Sequence, residues 1–347
     1  MGYLSVDSPG GMMRKAMGAY ILLAVWFAVV SSWSCSFNPT PAERNFYPGK
    51  LRIERARNLS FEEQKVEARF AEALERSIDE AIARYQERFG NEINADNARE
   101  LSTDYAPGGI DATDVQTLAA RTTWSNAVHE PASALVKEIY RRELRKAAPH
   151  NKLDLVVFTA GGTAAGKTTA IKAVSEIANV VRFAHIIYDS TLSNLQSSLE
   201  KIAQALEVSK AVSIVYVYRD PLEAFVNGAL SQSDRVGRVV PLDVFLHSHL
   251  DAPKVVLQIA DNYRGDPRVA IGVIDNSRGP GKAVVADLSF VSEVTHKYTP
   301  EGLRSKVVHA LEDAYEKGKL GKKGGISEAI YRAVKRNAAQ GVYGFPD

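Results

Sequence analysis

The sequence predicts an α/β fold: a parallel sheet flanked by helices, with an N-terminal helical extension. Two observations carry this. From residue 153 onward, continuous apolar runs alternate with helical stretches: "LDLVVFTA", "FAHIIYD", "AVSIVYVY" and "RVAIGVID". Such runs are strands buried on both faces, which is what a helix-covered parallel sheet requires. Before residue 150 the pattern is helical and amphipathic instead. The chain has 347 residues, 45% hydrophobic and 24% charged, ample material for a core.

The first segment is "MMRKAMGAYILLAVWFAVVSSWSCSF". Residues 16 to 30 are almost wholly apolar and follow Arg14 and Lys15, the pattern of a secretory signal. Cys35, the only cysteine, falls just past the apolar core, where bacterial lipoproteins are cleaved and acylated. Ser32 and Trp33 depart from that pattern. Three readings stand: a lipoprotein signal, an uncleaved membrane anchor, or a buried segment or misassigned start; residues 1–11 fit no signal pattern, which makes Met12 or Met13 a candidate true start. Each of the first two implies a bacterial, membrane-associated protein. The flanking charges leave the side of the membrane open. Residues 36–59 hold three prolines and no periodicity and read as a linker.

Val66, Phe70, Leu74, Ile78, Ile82 and Tyr85 recur at three- or four-residue steps, predicting one helix from Ser60 to Phe89, ended by Gly90. It is either core packing or an arm that covers a site or binds a partner. Glu130 to Ala147 predicts another helix, with Pro131 in its first turn. The strands follow, with helices at Lys167–Ala178, Asn194–Leu206 and after "RDPLEAF". Glu301–Lys317 and Ser327–Asn337 close the chain as helices. The resulting organisation is 1–35 signal or anchor, 36–59 linker, 60–150 helical region, 151–300 core and 301–347 C-terminal helices.

Several functions are excluded by composition. One cysteine permits neither an intramolecular disulfide nor a cysteine-based zinc cluster. The seven histidines show no zinc-ligand spacing such as HExxH. A net charge of +2 offers no global basis for nucleic-acid binding.

The chemistry is carried by "GGTAAGKTT": Gly161, Gly162, Thr163, Ala164, Ala165, Gly166, Lys167, Thr168 and Thr169. This satisfies GxxxxGK[ST] between a strand and a helix. The glycines let the backbone turn so that N–H groups face phosphate oxygens, and the following helix aims its positive dipole end there. Lys167 reaches the β/γ-phosphates and the Thr168 hydroxyl suits Mg²⁺, so ATP and Mg²⁺ are expected and the fold is P-loop NTPase/kinase-like. Asp189, at the end of the next strand, is placed to hold the metal or to accept a hydroxyl proton; the alternative is a helix cap before "STLSN". Arg219, Arg235 and Arg238 are candidates to close over the transferring phosphoryl, or form a solvated basic loop.

With these pieces the chain resembles the zeta toxins, P-loop kinases that phosphorylate a hydroxyl of UDP-N-acetylglucosamine, over roughly residues 90 to 290. "GGTAAGKTT" is similar to that family's phosphate loop. "IIYDSTLSN" resembles its strand ending in a carboxylate, although the family usually has Glu where Asp189 stands. In "GRVVPLDVFLHSH" the phosphate-contacting Arg falls on Arg238. "VAIGVIDNSRGPGK" resembles its turn near the adenine, which falls on Asn276 and Arg278.

In one respect the chain departs. The family's strand bearing the catalytic Asp follows the P-loop helix, and Val180 to Asp189 leaves no room for it. "INADNARELSTDY" resembles that piece but lies before the loop, and "HEPASALVKEIYRREL" resembles the helix after it. On this resemblance Asp96 is the general base and Arg99 a substrate contact. The alternative is that Asn94 or Asp96 merely caps a helix, in which case Asp189 serves as base or the chain is not a competent kinase.

The resemblance implies an ATP-dependent kinase for a small hydroxyl acceptor, a UDP-sugar first, and an antitoxin partner that masks the nucleotide site. Another small acceptor, or a membrane-tethered nucleotide-binding module without turnover, are the alternatives. An exported kinase would lack its donor, since ATP is scarce outside the cytoplasm.

Overall fold

Four apolar runs of the sequence become the four inner strands of one sheet. The computed structural model of the protein describes residues 51–279 and 281–336. The apolar segment at residues 16–33, Cys35, residues 36–50 of the linker and Asn337 lie outside the described residues. No helix among the described residues is long and apolar enough to cross a membrane.

The elements run α1 (Phe61–Arg76), α2 (Ile78–Phe89), β1 (Glu92–Asn94), α3 (Ala95–Arg99), α4 (Val115–Trp124), α5 (His129–Leu144) and β2 (Leu153–Ala160). Then come α6 (Lys167–Ala173), α7 (Ser175–Phe183), β3 (Ala184–Asp189), α8 (Leu195–Glu207) and β4 (Ala211–Tyr218). A short α9 (Pro221–Ala224) passes through a π-helix (Phe225–Leu230) into α10 (Ser231–Val236). Last are α11 (Leu242–Asn262), β5 (Val269–Asp275), β6 (Val284–Ala286), α12 (Leu288–Thr295), α13 (Pro300–Lys319) and α14 (Glu328–Lys335).

The sheet order is β1-β3-β2-β4-β5-β6, with only β6 antiparallel. The fold is therefore the expected α/β class, a mostly parallel six-stranded sheet flanked by helices. The loop strand β2 lies between β3 and β4. The chain crosses to one side of it and then to the other, so a crevice opens beyond the carboxyl ends of these strands.

The region before the loop supplies a strand as well as helices. β1 pairs with β3 in parallel, with Asn94 opposite Asp189. Its outer edge is closed by Tyr85 of α2. The Tyr85 hydroxyl accepts from the Asn94 N–H at 2.8 Å and faces the Glu92 and Asn94 carbonyls at 3.0 and 3.2 Å. One buried phenol thus satisfies backbone groups that an edge strand would leave open.

Helix starts follow the capping residues. Ser60 and Glu63 form a reciprocal capping box at α1, Asp114 caps α4, Asn194 caps α8 and Ser327 caps α14. Two single helices predicted from periodicity are each broken in two. Ser77 leaves helical dihedrals at φ −135°, ψ 49°, between α1 and α2. Val174 does so at φ −110°, ψ 98°, between α6 and α7. Each change costs one residue and lets the second helix turn onto the sheet.

Val66, Phe70 and Leu74 of α1 and Ile82 and Tyr85 of α2 join the main core with α5 and the sheet. This is the packing role, and the arm reading of residues 60–89 is set aside. Ile53 and Leu59, in the presumed linker, are buried too, and the Ile53 N–H donates to Glu75. A second core joins Phe225, Phe245, Leu303, Val307, Leu311 and Ile330, and fixes the arginine-bearing segment between α10 and α11.

Candidate functional site

The loop between β2 and α6 is shaped by contacts that admit no side chain at its first glycine. Gly161 has φ +131°, and a Cβ there would stand 2.2 Å from the Val217 carbonyl oxygen. At the other end Gly166, with φ +77°, starts α6. Neighbouring elements hold the turn between them. The Thr163 N–H donates to Ser248 Oγ at 3.0 Å, and His249 Nε2 lies 2.9 Å from the Thr163 carbonyl. Burial pushes the His249 imidazole down to about 4, so it is neutral and donates Nε2–H to that carbonyl. The Asn276 amide donates to the Ala165 carbonyl at 2.8 Å. Asn276 therefore braces the loop from outside. Arg278, expected near the same ligand, is largely exposed and stands 3.6 Å from Asp275.

Lys167, the first residue of α6, lies 3.5 Å from Asp189. Asp189 is the most fully engaged carboxylate of the site: Asn94 Nδ2 donates to its Oδ2 at 2.7 Å, and the Thr159 hydroxyl donates to Oδ1. Lys167, Thr159, Thr168 and Asp189 line one side of a cavity of about 370 Å³ that continues past Ile171, Val181 and Ile187 to Glu92 and Arg182. Thr169 is exposed.

A second polar cluster is built on α3. Asn94 caps this helix, its Oδ1 accepting from the Asp96 N–H at 2.8 Å. The Asp96 carboxylate lies 3.1 Å from Arg99 and keeps 47% of its side chain exposed. Burial alone would push its carboxyl up; the charges of Arg99, Arg238 and Lys167 outweigh burial and hold it below the ordinary carboxylate range. Asn94 ties the α3 cluster to Asp189, which stands beside the loop lysine.

Arg99 in turn lies 2.7 Å from His129 Nδ1. Burial first, then the Arg99 charge, push His129 down to about 3. It is neutral and accepts from Arg99, which aims the guanidinium. Glu100, the next residue, pairs with Arg121 at 2.6 Å, both side chains fully buried, and reaches Arg238 at 3.5 Å.

The three candidate arginines part company. Arg238 faces Asp96 and Glu100. Arg219 stands beside the loop, with Gly228 of the π-helix packed against Ala164 and Arg219 together. Arg235 is exposed on α10 and makes no ion pair or side-chain hydrogen bond among the described residues. The turn at Gly237, φ +72°, separates Arg235 from Arg238 and sends them to different faces.

No protein-family model and no curated protein matches this chain. Among the solved structures similar to it are two of one complex. The native AvrRxo1-ORF1:-ORF2 complex matches at 13% identity and TM-score 0.37, covering 57% of this chain and 84% of that one. The AvrRxo1-ORF1:AvrRxo1-ORF2 structure with sulphate ions matches at the same identity of 13% and TM-score of 0.37, covering 67% and 97%.

The residues present fit ATP and Mg²⁺. The loop turns through Gly161 at φ +131° and Gly166 at φ +77° and leads directly into α6, the strand–turn–helix shape that phosphate loops take. The nearby donors, Thr168 and Asp189, are oxygens, the set Mg²⁺ prefers. Among the described residues no group of three or more His, Cys, Asp or Glu side chains forms a metal cage.

Sequence reasoning passed over His129, Glu100, Arg121, Ser248 and His249, and saw Asn94 only as a cap. Glu100 lies inside the quoted "INADNARELSTDY" and His129 opens "HEPASALVKEIYRREL", but neither carries a signal of type or spacing. The Ser248-His249 pair reaches the loop across 85 and 86 positions, beyond any local pattern.

Proposed function

We propose that this protein is an ATP-dependent phosphotransferase of zeta-toxin type that moves the γ-phosphoryl of ATP to a hydroxyl of a small molecule, a UDP-sugar such as UDP-N-acetylglucosamine first among them. The observation that carries the reading is the meeting of two units at the carboxyl ends of the strands. One is a phosphate loop whose Lys167 pairs with Asp189. The other is the Asp96–Arg99 pair, with Arg238 on the neighbouring Glu100, tied to Asp189 through the Asn94 side chain.

The two carboxylates divide the work. Asp189 has both oxygens occupied by Asn94, Thr159 and Lys167. It suits holding the loop lysine and a metal ion. Asp96 is ionised and half open to solvent, so it suits proton acceptance. In the step, the acceptor oxygen bonds to the γ-phosphorus, the bond to the bridging oxygen breaks, ADP leaves, and the hydroxyl proton passes to Asp96. A carboxylate of low basicity suffices, because the transition state is loose and the proton moves late.

Lys167 and Arg238 neutralise charge on the transferring group, and Arg219 is placed to help from the loop's other side. Mg²⁺, bound through Thr168 and Asp189, would neutralise phosphate charge. Arg235 is left out of this set. A partner protein masking the nucleotide crevice, and attachment to a membrane through the N-terminal segment, belong to the same proposal.

ADP release from ATP, measured against a panel of UDP-sugars, nucleosides and a no-acceptor control, tests it. Acceptor-dependent ADP release that Lys167→Ala abolishes is expected. Nucleotide binding without ADP release for any acceptor points instead to a binding module.

A further inference from the structure

The cavity that starts at Lys167 runs on well past the groups used in the reaction just described. Its floor is one face of the sheet. Glu92 pairs in register with Ile187, and Thr159 with Asp189, so these four side chains stand on the same side. β3 is an inner strand, yet on this face Ile187 is only half-buried, between the buried Ile186 and Tyr188. The wall is α6 and α7, which contribute Ile171, Lys172, Ala178, Val181 and Arg182. α7 has no buried residue anywhere along its length. An inner strand and the helices beside it thus face one another across a space that neither fills.

The end away from the loop is fixed by Lys152, just before β2. Its Nζ donates to the Arg182 carbonyl at 2.7 Å, and the next residue, Leu153, pairs in register with Ala184. Lys152 and Thr159 both line the cavity, and the strand between them, at about 3.3 Å per residue, makes it roughly 20 Å long.

Length, volume and charge describe the ligand. About 370 Å³ is within the range of small-molecule pockets, and over that length it admits only a slender body. The middle, at Ile171, Ala178, Val181 and Ile187, is apolar and offers water few partners. Lys152, Lys167, Lys172 and Arg182 outnumber the carboxylates Glu92 and Asp189 along the lining. Asp189 is already held by Asn94, Thr159 and Lys167. That leaves Lys152, Lys172 and Arg182 against Glu92, an excess of positive charge, with Lys172 and Arg182 exposed at the mouth. We propose that this cavity binds a slender amphipathic acid: an unbranched apolar chain over Ile171, Val181 and Ile187, and one carboxylate or phosphate head held by Lys152 and Arg182. Asp96 does not line the cavity, so the site goes beyond the kinase reading and does not rest on it.

Calorimetric titration of the full-length protein tests this, with octanoate in one arm and octyl phosphate in the other. Mg²⁺ and a non-hydrolysable ATP analogue are present, so that the phosphate loop is not free to take an anion. Octylamine and octan-1-ol carry the same chain without the acid and serve as controls. Saturable binding of at least one acid, one per chain, is expected, the arms showing which head fits. It should be tighter than binding of the amine or the alcohol by about tenfold or more, the usual worth of a charge-assisted contact.

Two substitutions on α7 locate the site. Arg182→Glu reverses the charge at the mouth and should weaken the acid about tenfold. Ala178→Phe fills the apolar stretch and should abolish binding. Thermal unfolding and affinity for the ATP analogue should stay as in the parent for both; if Ala178→Phe fails to fold, Arg182→Glu decides alone. Failure of both acids to bind, equal binding of the amine or the alcohol, or binding undiminished in Arg182→Glu overturns the site. Acid binding with no acceptor phosphorylated leaves the site standing while the kinase reading falls.

Discussion

Asn94 Nδ2 donates to Asp189 Oδ2 at 2.7 Å, across 95 positions of sequence. The same side chain accepts from the Asp96 N–H through Oδ1 at 2.8 Å. One amide therefore sets the geometry of both acidic residues and ties the region before the loop to the strand after it. Replacing it with Asn94→Ala removes a helix cap, worth about 1 kcal/mol of stability. It also frees the Asp189 carboxylate and loosens the first turn of α3, which carries Asp96. Turnover should fall at least about tenfold while ATP affinity changes little, because misplacement costs rate more than binding. Steady-state kinetics with a urea titration measures both; unchanged turnover would show that the amide only caps.

Gly161 tests the loop. An alanine there must take φ +131° and put its Cβ 2.2 Å from a backbone oxygen, which cannot move aside as a side chain can. Gly161→Ala should weaken binding of Mg²⁺-ATP by tenfold or more, about 1.4 kcal/mol. Calorimetric titration reads this directly, and an unchanged Kd would mean that the loop does not hold phosphate in this shape.

Phe70 tests whether the N-terminal helices are scaffold. Its side chain is buried in the core shared with α5. Phe70→Ala should cost about 3–5 kcal/mol in urea unfolding, the usual range for a buried aromatic. A loss under about 1 kcal/mol, or a rise in activity, would revive the idea of an arm that covers the site.

The buried histidines predict the pH dependence of stability. Both are held below 6.5 by burial, His129 at about 3 and His249 at about 4. Between these values and 6.5 the unfolded chain binds more protons than the folded one, so stability rises with pH. It should be complete above about pH 6.5 and decline below, with a slope near 1.4 kcal/mol per pH unit for each histidine. Urea unfolding from pH 7.5 to pH 4.5 checks the sign, and His129→Gln should flatten the slope. Stability that rises on acidification would contradict the assignment of both as neutral.

The inner strands, the loop and the helix starts at Ser60, Asn194 and Ser327 were legible because each depends on residues next to one another. The breaks at Ser77 and Val174 were not, since one residue's dihedrals change while the apolar spacing continues across it. β1 spans Glu92–Asn94, too short for an alternating pattern, and its place beside β3 rests on Tyr85 closing its edge. β6, Val284–Ala286, was missed for the same shortness. Asp96 and Arg99 were named from resemblance, Arg238 first as one of three candidate arginines; Asp96 pairs with Arg99, and Arg238 reaches the adjoining Glu100. Arg235 was named with them, and the turn at Gly237 takes it elsewhere. Asn276 stands by the loop but braces it through Ala165.

The central claim is that ATP on the loop passes its phosphoryl to a hydroxyl deprotonated by Asp96. Phosphorus-31 NMR of protein mixed with ATP, Mg²⁺ and UDP-N-acetylglucosamine follows that transfer directly, with Asp96→Asn and Asp189→Asn alongside. ADP and a new phosphomonoester signal should appear together, slowed by about 10²–10⁴ in Asp96→Asn. Phosphomonoester formed equally fast by Asp96→Asn, or ATP left intact by the parent protein with this and every other small hydroxyl acceptor tried, would contradict it.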